Sequence, residues 1–415
     1  MTRFCIENIL GREILDSRGN PTLEIEITLE GGITSYASVP SGISVGVFEA
    51  MELRDHDPKR YHGMGVVQAI EMAEEVLSQH IIGKKFQSIQ EFDEHIIDLD
   101  GTTNKANIGS NTSLALSLAF AKCLAIAKQK KLYEIIRAEY GIKSHYRHPI
   151  PMLNVINGGK HADNNLNIQE FMIVPVMTPE ATIQDRIRLS CEFFYDLRIY
   201  LQKNQFRINV GDEGGFAPML SNTKEALNLL MHVMNRNVYK SKFKIAIDAA
   251  ASSFYNGKKY IIDSSTNQIT NIELVQYYKD LLQEYPIISI EDPMAENDLE
   301  GWKHITSELS NDLMLVGDDL FVTNFEHLQH GIDNHLANAI LIKPNQIGTI
   351  TETIKTTQLA KQNNYDIIVS HRSGETEDTS LAHIAVGLNA TYIKAGAPCR
   401  SERTAKYNEL MRLKI

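Results

Sequence analysis

Residues 313–343 read LMLVGD, then DLFVTNFEHLQHGIDNHLAN, then AILIK: an apolar run ending on Asp318, a helical stretch, and a second apolar run ending on Lys343. Runs this short, with no polar alternation, fit strands buried on both faces, as in parallel sheets covered by helices. The unit recurs. KIAID ends on Asp248, IISIE on Glu291, IIVSH on His371 and TYIK on Lys394, and the intervals between the six run ends are 43, 27, 25, 28 and 23 residues. Each interval holds one strand, one helix and two loops. With IPMLNVI, IQEFMIV and RINVGDE added, the strand count approaches that of a barrel. Right-handed crossovers place the C-terminal ends of parallel strands on one rim, so six ionisable residues are expected to meet there.

Upstream the pattern differs. Leu23, Ile25, Ile27 and Leu29 alternate with Glu24, Glu26, Thr28 and Glu30, a strand with one wet face, and Gly31-Gly32 turns it into a second strand, Ile33 to Val39. Helical spacing follows at Val66, Ile70, Ala73 and Leu77, and again at Ile89, Phe92, Ile96 and Ile97 behind a cap at Ser88. Leu114 to Ala127 is apolar nearly all round, as a buried helix is. Strands followed by helices give a small α+β domain over residues 1–140, and HPIPM (His148 to Met152) punctuates the start of a barrel domain over 141–415. The expected class is α/β, with an eight-stranded β/α barrel whose C-terminal rim carries the active site.

Composition agrees. The 415 residues include 43% hydrophobic and 22% charged, which excludes disordered, collagenous and disulfide-scaffold classes. The net charge of −11 leaves no excess of cations for a general nucleic-acid binder. Cys5, Cys123, Cys191 and Cys399 are too scattered for a zinc site or a disulfide framework. Arg3 and Glu7 stand where a signal peptide needs an apolar core, and Ser113 to Ala127 contains Lys122 and is short for a bilayer. A cytoplasmic location is expected.

The rim residues suggest chemistry. Asp248, Glu291 and Asp318 are three hard oxygen donors from different strands, suited to Mg²⁺ or Mn²⁺; the bland alternative is that each caps the following helix. Lys343 and Lys394 share the rim. A neighbouring cation and a metal favour a neutral lysine able to act as a base, whereas simple ion pairs with the carboxylates are the competing reading. Arg372, Ser373 and Gly374 form a candidate phosphate cradle, with a helix starting near Thr376 to Thr379 adding its N-terminal field. Asp212 and Glu213 precede two glycines, His161 lies in a Gly/Asn loop, and Gln169 and Glu170 begin QEF. Together these suggest proton abstraction beside a metal-bound carboxylate, followed by loss of a leaving group. Gly42 to Gly46 also matches the G-x-S-x-G nucleophile elbow, but it lies far in sequence from any sheet that supplies Asp and His in order.

Longer motifs are more specific. SRGNPT, VPSGISVG with EAMELRD, NVINGG, HADNN, QEFM, VGDEGGFAP, SIEDP, VGDDLFVTN, LIKPNQIGT, SHRSGETEDT and APCRSERTAKYNEL run nearly end to end. In them the chain resembles the enolase family. The resemblance implies reversible dehydration of 2-phosphoglycerate to phosphoenolpyruvate with two Mg²⁺ ions. Lys343 would be the base and Glu213 the acid, with Glu170 and His161 beside it. Gln169, Lys394, Arg372, Ser373 and His371 would bind substrate. Asp248, Glu291 and Asp318 would hold the first ion, and Ser44 the second. It also implies a homodimer or an octamer of dimers. Added surface roles in plasminogen binding or RNA assemblies belong to such families, but here Lys414 is followed by Ile415, so a terminal lysine is absent. The chain departs from the family at Ile43 and Val45, at Ser253 in place of Glu, in IGSNTS, and at Ala395; no assigned residue is lost.

Overall fold

The computed structural model describes residues 3–42, 46, 48–263 and 268–415. Two sheets organise it. The first is antiparallel, in the order β3-β2-β1-β4, from β1 (Phe4–Leu15), β2 (Pro21–Leu29), β3 (Ile33–Ser38) and β4 (Lys85–Phe86). In β2 the alternation holds: Leu23, Ile25, Ile27 and Leu29 are buried and the residues between them are half-buried. Helix Ser110–Ala127 lies against that face. It is long and apolar enough to cross a membrane by composition alone, yet 83% of it is buried inside the protein. The Ser88 hydroxyl accepts the Glu91 amide at 3.0 Å and caps helix Ile89–Asp100 as its sequence predicts.

The second sheet closes into an eight-stranded barrel of β5 (Ile150–Asn157), β6 (Glu170–Pro175), β7 (Phe243–Asp248), β8 (Ile287–Glu291), β9 (Met314–Gly317), β10 (Ala339–Ile342), β11 (Asp366–Ser370) and β12 (Tyr392–Lys394). Met152, Met172, Val174, Ala246, Val316, Ala339, Leu341 and Ile368 fill its interior. It is a packed core with room for chemistry only at its rim.

Two sequence expectations need correction. The barrel is not all parallel: β6 pairs antiparallel with both β5 and β7. The loop 158–169 joining β5 to β6 contains a single 3₁₀ turn and no crossover helix. A parallel return needs such a crossover, so the chain reverses. Two helices, Ile183–Lys203 and Thr223–Met234, then separate β6 from β7. RINVGDE is also not a barrel strand. Val210 makes only an isolated bridge to Phe216, within the segment linking those two helices.

Buried polar contacts tie the first sheet's unit to the barrel. Asp93 accepts the Thr351 amide and hydroxyl at 2.8 and 2.7 Å, Lys105 pairs with Glu352 at 2.7 Å, and Lys122 pairs with Asp378 at 2.6 Å. All four cysteines are free thiols.

Candidate active site

Strand register assembles the acidic part of the rim. Glu170 pairs with Asp248, and Asp248 with Glu291, so three carboxylates stand side by side on β6, β7 and β8. Neighbouring strands are about 4.8 Å apart, and like charges at that spacing repel unless cations intervene. Lys394, at the end of β12, is that cation. Its Nζ lies 3.1 Å from Glu170 Oε1 and 3.2 Å from Asp248 Oδ2, and 2.9 and 2.8 Å from the two Glu291 oxygens. Asp248 and Asp318 line the cleft. Glu291 does not, and both its oxygens are bonded to the Lys394 ammonium.

Lys343, at the end of β10, pairs with Asp318. Burial works against both ammonium groups, but the carboxylates outweigh it and raise the two lysines above the ordinary range. The neutral lysine is expected beside a divalent metal; among the protein's own groups, the carboxylates favour the charged form. The same crowding acts on the acids. Burial, then Asp248, lifts the Glu291 carboxyl to about 8. Lys343 holds Asp318 low against burial.

Histidines govern the opposite wall. VGDEGG carries Glu213 into the cleft on a turn where Gly214 has φ +86°, and a Cβ there would lie 2.9 Å from Cys399 Sγ. The site needs glycine at that point. Glu213 Oε1 faces His371 Nε2 at 3.4 Å and His161 Nδ1 at 3.7 Å, while Asn154 Nδ2 donates to Oε2 at 3.2 Å. His161 Nδ1 also lies 3.5 Å from Glu170 Oε1. Burial, then the charge of Glu213, pushes Glu170 far above the usual carboxyl range. Glu213 is also buried, but His371, His161 and Lys394 hold it below that range. Of the two neighbouring acids, Glu170 is therefore the one whose neutral form is favoured. Burial drops His371 to about 4. Arg403 Nη1 donates to its Nδ1 at 2.7 Å, so the neutral ring carries its proton on Nε2, toward Glu213.

Arg372, Ser373, Gln169, His161 and His371 line the same cleft as Lys343, Lys394, Glu170 and Glu213. Ser44, with Ile43 and Val45, lies outside the described residues. Ser41 nevertheless exchanges two backbone hydrogen bonds with Gly374, at 2.8 and 2.9 Å, which brings the start of that segment to the cradle. The helix expected to add its field begins at Ser380, and Asp378 already accepts the Ser380 amide at 2.7 Å, so its N-terminus is capped by the chain itself. Of the three rim carboxylates, only Asp248 accepts a nearby backbone amide, that of Ala250 at 3.0 Å.

Several contributors escaped sequence reading. Asp292 sits at φ 40° and accepts the amides of Asp318 and Asp319, each at 2.9 Å, so it shapes the turn that aims Asp318. Asp319 lines the cleft with a carboxyl raised to about 7 by burial and Asp318. Arg403, fully buried, binds the carbonyls of Arg372, Ser373 and Asp212 besides His371. It lies in APCRSERTAKYNEL, a motif that carried the resemblance without giving this residue a role. Ser252 and the departing residue Ser253 line the cleft too.

A barrel rim that holds paired lysines and carboxylates on one wall and two histidine-flanked carboxyls of opposite acidity on the other defines an enzyme of acid–base chemistry on an anionic substrate. Known proteins narrow this. The family model for the enolase N-terminal domain matches residues 6–136, and that for the enolase C-terminal TIM barrel domain matches 145–414. The chain is 49% identical over 413 residues to the enolase of Ehrlichia ruminantium (strain Welgevonden), covering 99% of this chain and 96% of that one. It is 48% identical over 413 residues to the enolase of Methanocaldococcus jannaschii, covering 99% and 95%. The chain belongs to the enolase family. Its activity is that of a phosphopyruvate hydratase, a lyase that uses a divalent metal and acts on a phosphorylated small molecule.

Proposed function

We propose that the dehydration of 2-phosphoglycerate runs between the two walls of this cleft, with Lys343 as base, Glu213 as acid and two Mg²⁺ ions. The observation that supports it is the opposite electrostatic state of the two walls around one cavity. Asp248, Glu291 and Asp318 offer oxygen donors alone, and burial, then Asp248, lifts the Glu291 carboxyl to about 8 although Lys394 is bonded to both its oxygens. That donor set fits a hard divalent cation. Ser44 would hold the second ion. When bound, the ions stabilise the charge that develops on the substrate carboxylate as its α-proton leaves.

The chain's own groups do the rest. Lys343 Nζ takes the α-proton, which requires the amine to be free of its proton. Its counter-charge is Asp318, one of the proposed metal ligands, so engaging that carboxylate elsewhere favours the neutral amine. Lys394 and Gln169 orient the carboxylate end of the substrate, and Arg372 and Ser373 grip the phosphate. Glu213, with Glu170 beside it, delivers a proton to the departing hydroxyl. His371 donates toward Glu213 through Nε2, and His161, on the loop 158–169, bridges the two acids.

Residues 1–140 form the capping unit and 141–415 the catalytic unit of a cytoplasmic enzyme, and two copies pair. Exposed Leu15 and Tyr36, beside a groove of the first sheet, support the pairing. A coupled assay tests the function: phosphoenolpyruvate should form from 2-phosphoglycerate with Mg²⁺ and not without it. No product in Mg²⁺ would refute the reading, and rescue by Mn²⁺ alone would change the metal.

A further inference from the structure

The guanidinium of Arg372 is buried and already holds an anion. Nη1 donates to Glu49 Oε2 at 2.8 Å and Nη2 to Glu49 Oε1 at 3.0 Å, a fork-to-fork pair, and Nη1 also donates to Asn345 Oδ1 at 3.1 Å. Both side chains of the pair are 4% exposed. Glu49 Oε1 further accepts the Gly46 amide at 2.9 Å and Gln346 Nε2 at 3.4 Å. One carboxylate thus connects the segment after residues 43–45 to the SHRSG turn.

Two oxygens lying in the plane of a guanidinium fork are what a phosphate also presents. A buried arginine cannot be left without a counter-charge between turnovers, because the desolvated cation would be strongly destabilising. A permanent partner would leave the fork closed to substrate. Glu49 differs from a permanent partner in its placement. It lies on a connecting segment with no helix or strand around it, and its oxygens are shared with the Gly46 amide of that same segment.

We infer that Glu49 is an internal stand-in for the substrate phosphate, holding the Arg372 fork in the free enzyme and yielding it when phosphate arrives. The inference rests on the reading of Arg372 as the phosphate grip, and it adds a competitor to that grip.

Inorganic phosphate is the probe, used as a competitive inhibitor of 2-phosphoglycerate turnover by the Mg²⁺-loaded enzyme. Glu49→Gln keeps the side chain's shape and removes its charge. Phosphate should inhibit this variant about tenfold more tightly than wild type, the size of one charge-assisted contact no longer competing. Unchanged or weaker inhibition would overturn the stand-in role, since a merely structural pair would loosen the site when broken. Arg372→Met separates the underlying reading: phosphate inhibition should vanish, and inhibition at wild-type strength would mean that Arg372 is not the grip. If Glu49→Gln does not fold, Glu49→Asp, too short to span the fork, should tighten phosphate in the same direction, and failure to do so would also overturn the proposal.

Discussion

The two walls of the cleft use the same side-chain type to opposite ends. On one, Asp318 faces Lys343 and is held below the usual carboxyl range; on the other, Glu170 faces Glu213 across His161 and is held above it. Neither difference comes from burial, which is nearly complete for all of them. It comes from neighbours. Lys343 holds Asp318 low, whereas the charge of Glu213 helps to raise Glu170 even though Lys394 lies 3.1 Å away and acts against it. In the proposed reaction, one wall offers oxygen donors to a metal and the other supplies the proton for the leaving group.

Removing the divalent ion should disable the first wall completely. With chelator, turnover should fall to background and return on adding Mg²⁺; activity that survives exhaustive chelation would break the contrast. Binding should also raise the thermal unfolding midpoint, because a ligand that prefers the folded state stabilises it, and Asp318→Asn should weaken that rise. Lys343→Ala should next cost about 10⁴-fold in turnover, at the upper end for loss of a positioned base. A loss under about tenfold would move the base elsewhere.

The smallest expected effect is on stability. His371 is held at about 4 in the folded protein against an ordinary 6.5. The unfolded chain therefore binds the proton first as pH falls, so the ring's contribution is whole above about 6.5 and is lost toward about 4. Unfolding midpoints of wild type should drop more steeply over that window than those of His371→Asn. Parallel curves would mean that the ring is not held neutral by its surroundings.

The walls also differed in how far the sequence revealed them. Asp248, Glu291, Asp318, Lys343, His371 and Lys394 end parallel strands, and recurrence of apolar run plus charged terminus marks such ends without any structure. Glu170 begins an antiparallel strand and Gln169 precedes it, so no rule about C-terminal ends reaches them; QEF drew notice, and the family resemblance supplied their roles. β1 escaped notice because its buried and exposed residues do not alternate strictly. Asp292, Arg403 and Glu49 act through backbone amides, carbonyls and a guanidinium brought near by the closed barrel and the capping unit. No local spacing encodes such partners. How strongly the carboxylates act on the lysines was not legible, because it depends on how many of them the register stacks beside Lys394.

Division of labour between the walls is tested most directly by following α-proton exchange and dehydration in one sample. In deuterated solvent with Mg²⁺, Glu213→Gln should still wash deuterium into 2-phosphoglycerate at C2 while phosphoenolpyruvate formation falls by about 10²-fold or more. If exchange and dehydration fall together by the same factor, base and acid are not on separate walls, and the account fails.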